Sequence, residues 1–403
     1  MTDLSQKQLQ NLPASRWDVI IIGAGPAGAI CALTLARAGH QVLVLDKHEF
    51  PRHKICGDQL IPDSLKLLDR LGILDRVTPH GVAQDRIRVF SPGRVNFAVP
   101  GRFLGIRRYE LDHILMQAAV DAGATFAQGS VVDIAPSHSG EAQVIVEDAA
   151  SPLRARVVVL ATGASVHLAD KLGLVERRRP SAVAMRAYFE SDYQFDEIIL
   201  SYDRSLVPGY AWIFRVSDRV YNIGCGLRLG SKGDSPDSLR PRIAAFLRGF
   251  PLARELVRRG RRVSEFRGAA LRCGLDGTRG FVRDNVVCVG EVIGTTFPFT
   301  GEGIGKAMHS GLIAAEVVSR ALKADDPGQL HDYADRIDTE IRPLYYGYRI
   351  AESWLGNPRL NDFVARRICR SRYMQEKLAE FASESGDPRT LFSWSSVAKS
   401  FLK

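Results

Sequence analysis

After Asp18, residues 19–22 form an unbroken apolar, β-branched run, Val19-Ile20-Ile21-Ile22, with no polar position to face solvent. Such a run predicts a strand buried on both faces. Residues 26–38 are rich in Ala and Leu over a helix-length stretch, and residues 41–46 form a second apolar run. Strand, helix and strand in that order predict a parallel sheet with a right-handed crossover. Residues 109–122 set Leu111, Ile114, Leu115, Ala118 and Ala119 at helical spacing. Residues 156–160 read as another strand, continuously apolar after Arg156, and stop at Ala161-Thr162-Gly163; Val286-Val287-Cys288-Val289 repeats the pattern before Gly290-Glu291. Residues 301–322 read as a helix.

Other segments alternate instead. Residues 87–99 alternate around Ser91-Pro92-Gly93, and residues 181–228 contain alternating runs at 210–216 and 220–227. These predict one antiparallel substrate sheet that interrupts the nucleotide-binding domain twice. The expected fold is therefore α/β, a Rossmann-like domain over residues 1–80, 104–180 and 276–325, with a substrate domain over 81–103 and 181–275. Residues 326–403 are mostly helix-compatible, with Tyr345, Tyr346, Tyr348 and Trp354 in an aromatic stretch expected to cap the core.

Composition narrows the functions. The 403 residues, 45% hydrophobic and 25% charged, suit a globular protein of two or three domains. The balance of 54 basic and 45 acidic residues leaves +9, with arginines clustered at 177–179, 258–262 and 366–367. Such clusters suit solvated helix faces, a phosphate-bearing substrate or an anionic membrane surface. Nucleic acid is not expected, because no recognisable binding module accompanies the charge. The six cysteines show neither metal-ligand spacing nor a disulfide framework, which fits a cytoplasmic setting. No signal peptide is visible, and no apolar run approaches the about 20 residues that span a bilayer. Membrane contact is thus expected only at the periphery.

Gly23-Ala24-Gly25-Pro26-Ala27-Gly28 follows the first strand and opens the first helix. Gly23 suits the tight turn, Gly25 the approach of a pyrophosphate, and Gly28 close helix–strand packing, with the anion at the helix N-terminus. Asp46, followed by Lys47, ends the second strand, where a carboxylate accepts the hydroxyls of an adenosine ribose. Gly290-Glu291 and the turn through Pro298, Gly301, Gly303 and Ile304 form a second nucleotide element. Two elements so far apart suggest one long dinucleotide held at both ends. Between them, Arg52, Cys56, Gly57 and Asp58 lie in a loop suited to run from the adenosine toward the reactive ring.

Lys54-Ile55-Cys56-Gly57-Asp58, followed by Leu67-Leu68-Asp69-Arg70-Leu71-Gly72 in an expected helix over 60–72, resembles the geranylgeranyl reductase family. That family belongs to the p-hydroxybenzoate-hydroxylase-like flavoproteins, and the resemblance spans residues 17–325. Pro208-Gly209-Tyr210-Ala211-Trp212-Ile213-Phe214 is similar to its substrate-sheet motif, which implies an aromatic wall of Tyr210, Trp212 and Phe214. Arg215 departs from the family's proline, Pro208 sits one position nearer the tyrosine than usual, and Glu291 stands where the family has aspartate.

The resemblance implies resident FAD, with Arg107 near its phosphates or ribityl chain, Val132 touching the adenine through its backbone, Thr162 and Gly163 along the cofactor, and Glu291 at the ribityl hydroxyls. It further implies NADPH, NADH or a reduced carrier protein as a transient electron donor, since no second glycine-rich nucleotide fold is visible. The leading expectation is reduction of carbon–carbon double bonds in a prenyl lipid or quinone, with Cys56, Tyr210 and Trp212 as catalytic candidates. Cys56 heads these because the family motif places a thiol beside the flavin. Hydroxylation, or less readily halogenation, of an aromatic or carrier-bound substrate is a second reading. A flavoprotein that supports or modifies another protein is a third.

Overall fold

The computed structural model describes residues 4–12, 16–138, 140–207, 209–229, 236–298, 300–382 and 392–401. A first sheet has the order Gln6–Lys7, Thr125–Gln128, Val42–Asp46, Arg16–Ile22, Leu153–Leu160, Val286–Cys288 and Val282–Arg283. Every neighbouring pair in that order is parallel except the last. The run Val19–Ile21 is fully buried, as an interior strand of a sheet covered on both faces must be. Helix Pro26–Arg37 packs against helices Arg108–Asp121 and Ile304–Ala324.

Register is what makes this sheet a binding site. Ile22 pairs with Leu45 on one side and Leu160 on the other, and Leu160 pairs with Cys288. The carboxyl ends of four strands therefore lie level. Beyond them the chain continues as Gly23, as Asp46, as Ala161-Thr162-Gly163 and as Gly290-Glu291, so four separate sequence motifs meet at one edge.

A second sheet has the order Gly260–Arg262, Ala182–Ser191, Val220–Arg228, Tyr210–Arg215, Ile198–Ser201, Val82–Phe90, Asn96–Gly105 and Gln59–Leu60, with Arg267–Leu271 also on Ala182–Ser191. One junction departs from the expected antiparallel pattern: Ile198–Ser201 runs parallel to Val82–Phe90. These strands come from separate chain passes with a nucleotide-domain segment between them, so no hairpin dictates their direction.

Alternation along this sheet separates a packed face from an open one. Tyr221, Ile223, Cys225 and Leu227 join Ala211 and Ile213 in a core with Ile243, Phe246, Ala253 and Leu256 from helices Leu239–Gly249 and Pro251–Arg258. The opposite face carries Asn222, Gly224 and Gly226 beside Tyr210, Trp212 and Phe214. A Cβ on Gly224 would overlap the Trp212 ring, so the bare backbone forms the seat of the indole.

The helix expected from residue 301 begins at Ile304. Gly301 has φ 68, outside the helical region, and Phe297 N–H donates to the Glu302 carbonyl at 2.9 Å. Residues 300–303 thus stay out of the helix as a loop over the sheet edge. The helix expected over 60–72 is Pro62–Arg70. Helices Arg342–Leu355, Pro358–Arg370 and Arg372–Ala382 form the C-terminal region, and Pro358–Arg370 packs against strand Asn96–Gly105.

Candidate FAD and substrate site

The aligned strand ends open into a cavity of about 650 Å³ between the two sheets. At its first end, Asp46 Oδ2 accepts from Ala24 N–H at 2.9 Å and Oδ1 from His48 N–H at 3.0 Å. The glycine turn and the carboxylate are thereby fixed to one another. Pro26 opens helix Pro26–Arg37, and Gly25 at the cap position contributes no side chain, which leaves the first-turn N–H groups available to an anion. A Cβ built on Gly25 would meet only the Arg52 and Arg108 guanidinium groups, at 3.8 and 4.0 Å.

Those two arginines share one buried anchor. Asp112 is fully buried and binds Arg108 through two bonds of 2.6 and 2.8 Å, and Arg52 Nη1 approaches it at 3.1 Å. Burial opposes the charge on Arg108, but Asp112 outweighs it and holds the guanidinium pKa above its ordinary value. The arrangement presents positive charge beside the glycine turn, as a pyrophosphate requires. Sequence reasoning missed both Arg108 and Asp112. Their four-residue spacing on one helix was the available signal.

Farther along, Cys56, Gly57 and Asp58 face the aromatic wall. A Cβ on Gly57 would lie 3.1 Å from Phe214 Cε2 and 3.8 Å from Trp212 Nε1. Tyr210, Trp212 and Phe214 all line the cavity, with successive ring centroids 5.9 Å apart. Tyr210 O–H donates to the Thr300 carbonyl, joining the wall to the terminal turn.

Asn222, fully buried, connects loop and wall. Its side-chain oxygen accepts from Trp212 Nε1–H at 2.9 Å, and its NH₂ donates at 2.8 Å both to the Cys56 carbonyl and to Asp58 Oδ2. Tyr188 O–H donates to the same Asp58 oxygen at 2.6 Å. Burial raises the Asp58 carboxyl pKa against these donors, and burial also raises the Cys56 thiol against the lowering influence of Arg108. Asn222 was another omission; a polar residue in an otherwise apolar alternating strand marked it.

At the terminal motif, Gly290 N–H donates to Ser310 Oγ at 2.9 Å. Glu291 Oε1 accepts weakly from Arg272 N–H at 3.4 Å, and Oε2 would lie 3.9 Å from a Cβ on Gly163. Burial raises the Glu291 pKa. Its carboxyl group thus lies between the Thr162-Gly163 turn and the cavity.

Of the residues expected from sequence, Gly23, Gly25, Pro26, Ala27, Asp46, Lys47, Arg52, Cys56, Gly57, Asp58, Thr162, Gly163, Tyr210, Trp212, Glu291, Pro298, Gly301, Gly303 and Ile304 line this cavity. Gly28 and Gly290 pack behind it, a Cβ on Gly290 falling 2.8 Å from Ala27 Cβ. Arg107 does not line the cavity: its guanidinium stacks on Tyr188 at 5.2 Å, and its neighbour Arg108 turns inward. Val132 is 40% exposed, and Val131 lines the cavity instead. Arg107 caps the helix that Arg108 opens, and in strand Val131–Ala135 successive side chains face opposite ways, so it is the Val132 side chain that is turned from the cavity. Arg215 points to Asp196 and Asp218 rather than inward, and Pro208 lies outside the described residues.

The cavity fits FAD. Its length joins a ribose-type carboxylate, a bare glycine turn with two arginines, and an aromatic-walled end. Gln59, whose side-chain oxygen and nitrogen both lack partners among the described residues, also faces it. A second, apolar chamber of about 120 Å³ adjoins the first, with Ile61, Ile87, Leu200, Thr300 and Glu302 in both walls.

Comparison with known proteins agrees with this geometry. The profile of the FAD binding domain family matches residues 16–340. The chain is 30% identical to menaquinone reductase of Mycolicibacterium smegmatis, over 84% of this chain and 83% of the relative. It is 29% identical to digeranylgeranylglycerophospholipid reductase 2 of Methanopyrus kandleri, over 86% and 89%. Among solved structures, a geranylgeranyl bacteriochlorophyll reductase-like protein from Thermoplasma acidophilum superposes with a TM-score of 0.78, at 18% identity and 96% coverage of both chains. Four strand ends, one arginine pair and an aromatic-walled cavity thus occur in a chain that belongs to the FAD binding domain family, among the geranylgeranyl reductase-like FAD-dependent oxidoreductases.

Proposed function

We propose that this enzyme reduces carbon–carbon double bonds in the prenyl chain of a lipid or quinone. The observation that carries the reading is an apolar chamber that adjoins the aromatic-walled cavity and shares Ile61, Ile87 and Leu200 with its wall. A long run of methyl-branched isoprene units matches two adjoining spaces of this kind, whereas a compact polar substrate would leave the second unused. The two named relatives support the same element: a menaquinone and a digeranylgeranylglycerophospholipid have different head groups and share polyprenyl chains.

Bound FAD, once reduced, supplies hydride chemistry. The protein's part is placement and proton control. Ala24, Asp46, Arg52 and Arg108 hold the adenosine and phosphate end, and Asn222 fixes the Cys56–Asp58 loop against Trp212. Tyr210, Trp212 and Phe214 orient the chain and exclude water. Burial keeps Cys56 protonated, so Sγ holds a proton for the carbon next to the one that receives hydride. NADPH, NADH or a reduced carrier protein serves as the transient donor.

Incubating the flavin-loaded protein with a reductant and a mixture of prenyl lipids and quinones, without oxygen, tests this. Mass spectrometry should find products heavier by two hydrogen atoms per reduced bond. Products formed only in air and heavier by one oxygen atom would replace reduction by hydroxylation. Stable co-purification with one protein and no turnover would favour a supporting role.

A further inference from the structure

Helix Pro358–Arg370 has two faces of opposite character. Val364, Ala365 and Ile368 line the apolar chamber, together with Leu378 of the next helix and Phe392. Arg359, Arg366 and Arg370 are exposed, and at about 100° per residue they fall within a stripe about 40° wide. No ion pair among the described residues engages these three. Some exposed arginines elsewhere are matched, among them Arg258 with Glu255, Arg261 with Glu190 and Arg372 with Glu376.

Exposed aromatics accompany the stripe. Phe401 is 62% exposed and lies against Arg367, whose Cζ is 3.8 Å from the ring centroid; Trp394 is 66% exposed and packs at a tilt against Trp354, with ring centroids 4.9 Å apart. A half-exposed indole or phenyl ring beside basic side chains is the combination that inserts at a lipid interface while the charges meet anionic head groups. No helix among the described residues is long and apolar enough to cross a membrane, so attachment of this kind would be from one side.

We propose that the outer face of helix Pro358–Arg370, with Trp394 and Phe401, docks on an anionic lipid bilayer. Charge complementarity selects the occupant: unpaired arginines would gain nothing from an apolar protein groove, whereas anionic head groups neutralise them.

The test is co-sedimentation of the flavin-loaded full-length protein with vesicles of phosphatidylcholine alone and of phosphatidylcholine mixed with phosphatidylglycerol. Binding should require the anionic lipid and weaken with salt. Changing Arg359, Arg366 and Arg370 together to Gln should lower vesicle affinity on the order of 100-fold, about five-fold per arginine. Trp394→Ala with Phe401→Ala should also weaken binding, while all variants keep the flavin and turn over detergent-solubilised substrate at the parental rate. Equal binding to both vesicle types, no binding to either, or unchanged affinity of the triple Arg variant would each overturn the proposal. Because vesicle binding is measured without turnover, its loss is distinguishable from failure of the substrate assignment.

Discussion

Replacing Asn222 by Leu is the sharpest test of how the reactive end is built. The two side chains have similar size, but Leu can make none of the three hydrogen bonds of Asn222. Asp58 retains Tyr188 O–H and Arg108 N–H, so its carboxylate keeps donors. Trp212 Nε1–H and the Cys56 carbonyl are orphaned. At about 1–3 kcal/mol for each buried polar group left without a partner, the expected loss is about 2–6 kcal/mol. Denaturant unfolding should show a lower midpoint at unchanged slope. Asn222→Asp supplies a comparison with a pH signature, because it puts a second carboxyl 2.8 Å from Asp58. Two carboxylates that close share a proton, so their folded-state pKa is raised; the resulting cost is absent below the unfolded pKa and grows as pH rises through the folded one. The Asp variant should therefore approach the parent in acid and fall behind at neutral pH. A Leu variant within about 0.5 kcal/mol of the parent, the range of ordinary surface changes, would refute the network.

Arg108→Gln should weaken FAD binding by about 10- to 100-fold, the worth of a charge-assisted hydrogen bond, whereas Arg107→Gln should change it less than about three-fold; titration with flavin fluorescence separates the neighbours. Cys56, with its pKa raised above the ordinary 9.0, should be alkylated with a midpoint above that value and remain slow at neutral pH, read by peptide mass mapping against denatured protein. Cys56→Ala should lower turnover while leaving flavin occupancy intact; unchanged turnover would remove the thiol from the proton step. Gly290→Ala should lower flavin occupancy and stability together, since φ 75 and a Cβ 2.8 Å from Ala27 Cβ both oppose a side chain.

Local chemistry explains how much could be read from the chain. Gly23–Gly28, Asp46 and Ala161-Thr162-Gly163 were legible because each turn directly follows an apolar strand, and parallel register then brings the ends together. The aromatic wall was legible for the same reason, since Tyr210, Trp212 and Phe214 repeat at the strand period of two. Arg107 was expected where its neighbour Arg108 lines the cavity, because sequence alone does not settle the start of that helix to one residue. Asn222 escaped because Cys56 and Asp58, which it ties together, lie far off in the chain; Asp112 had a local signal in Arg108, but its role as anchor for Arg52 spans a long separation. Glu302 also went unremarked, although the loop at 300–303 places it in both chamber walls. The chamber itself needs the C-terminal helices to close over the second sheet, a long-range packing event that no local period records.

An anaerobic single turnover tests the central claim most directly. The flavin-loaded protein is reduced chemically, freed of excess reductant and mixed with a long-chain prenyl lipid in the absence of oxygen. The flavin should reoxidise on substrate addition, with one double bond saturated per flavin oxidised. If the flavin stays reduced until air is admitted, and the product then carries an added oxygen atom, prenyl reduction is not the reaction of this site.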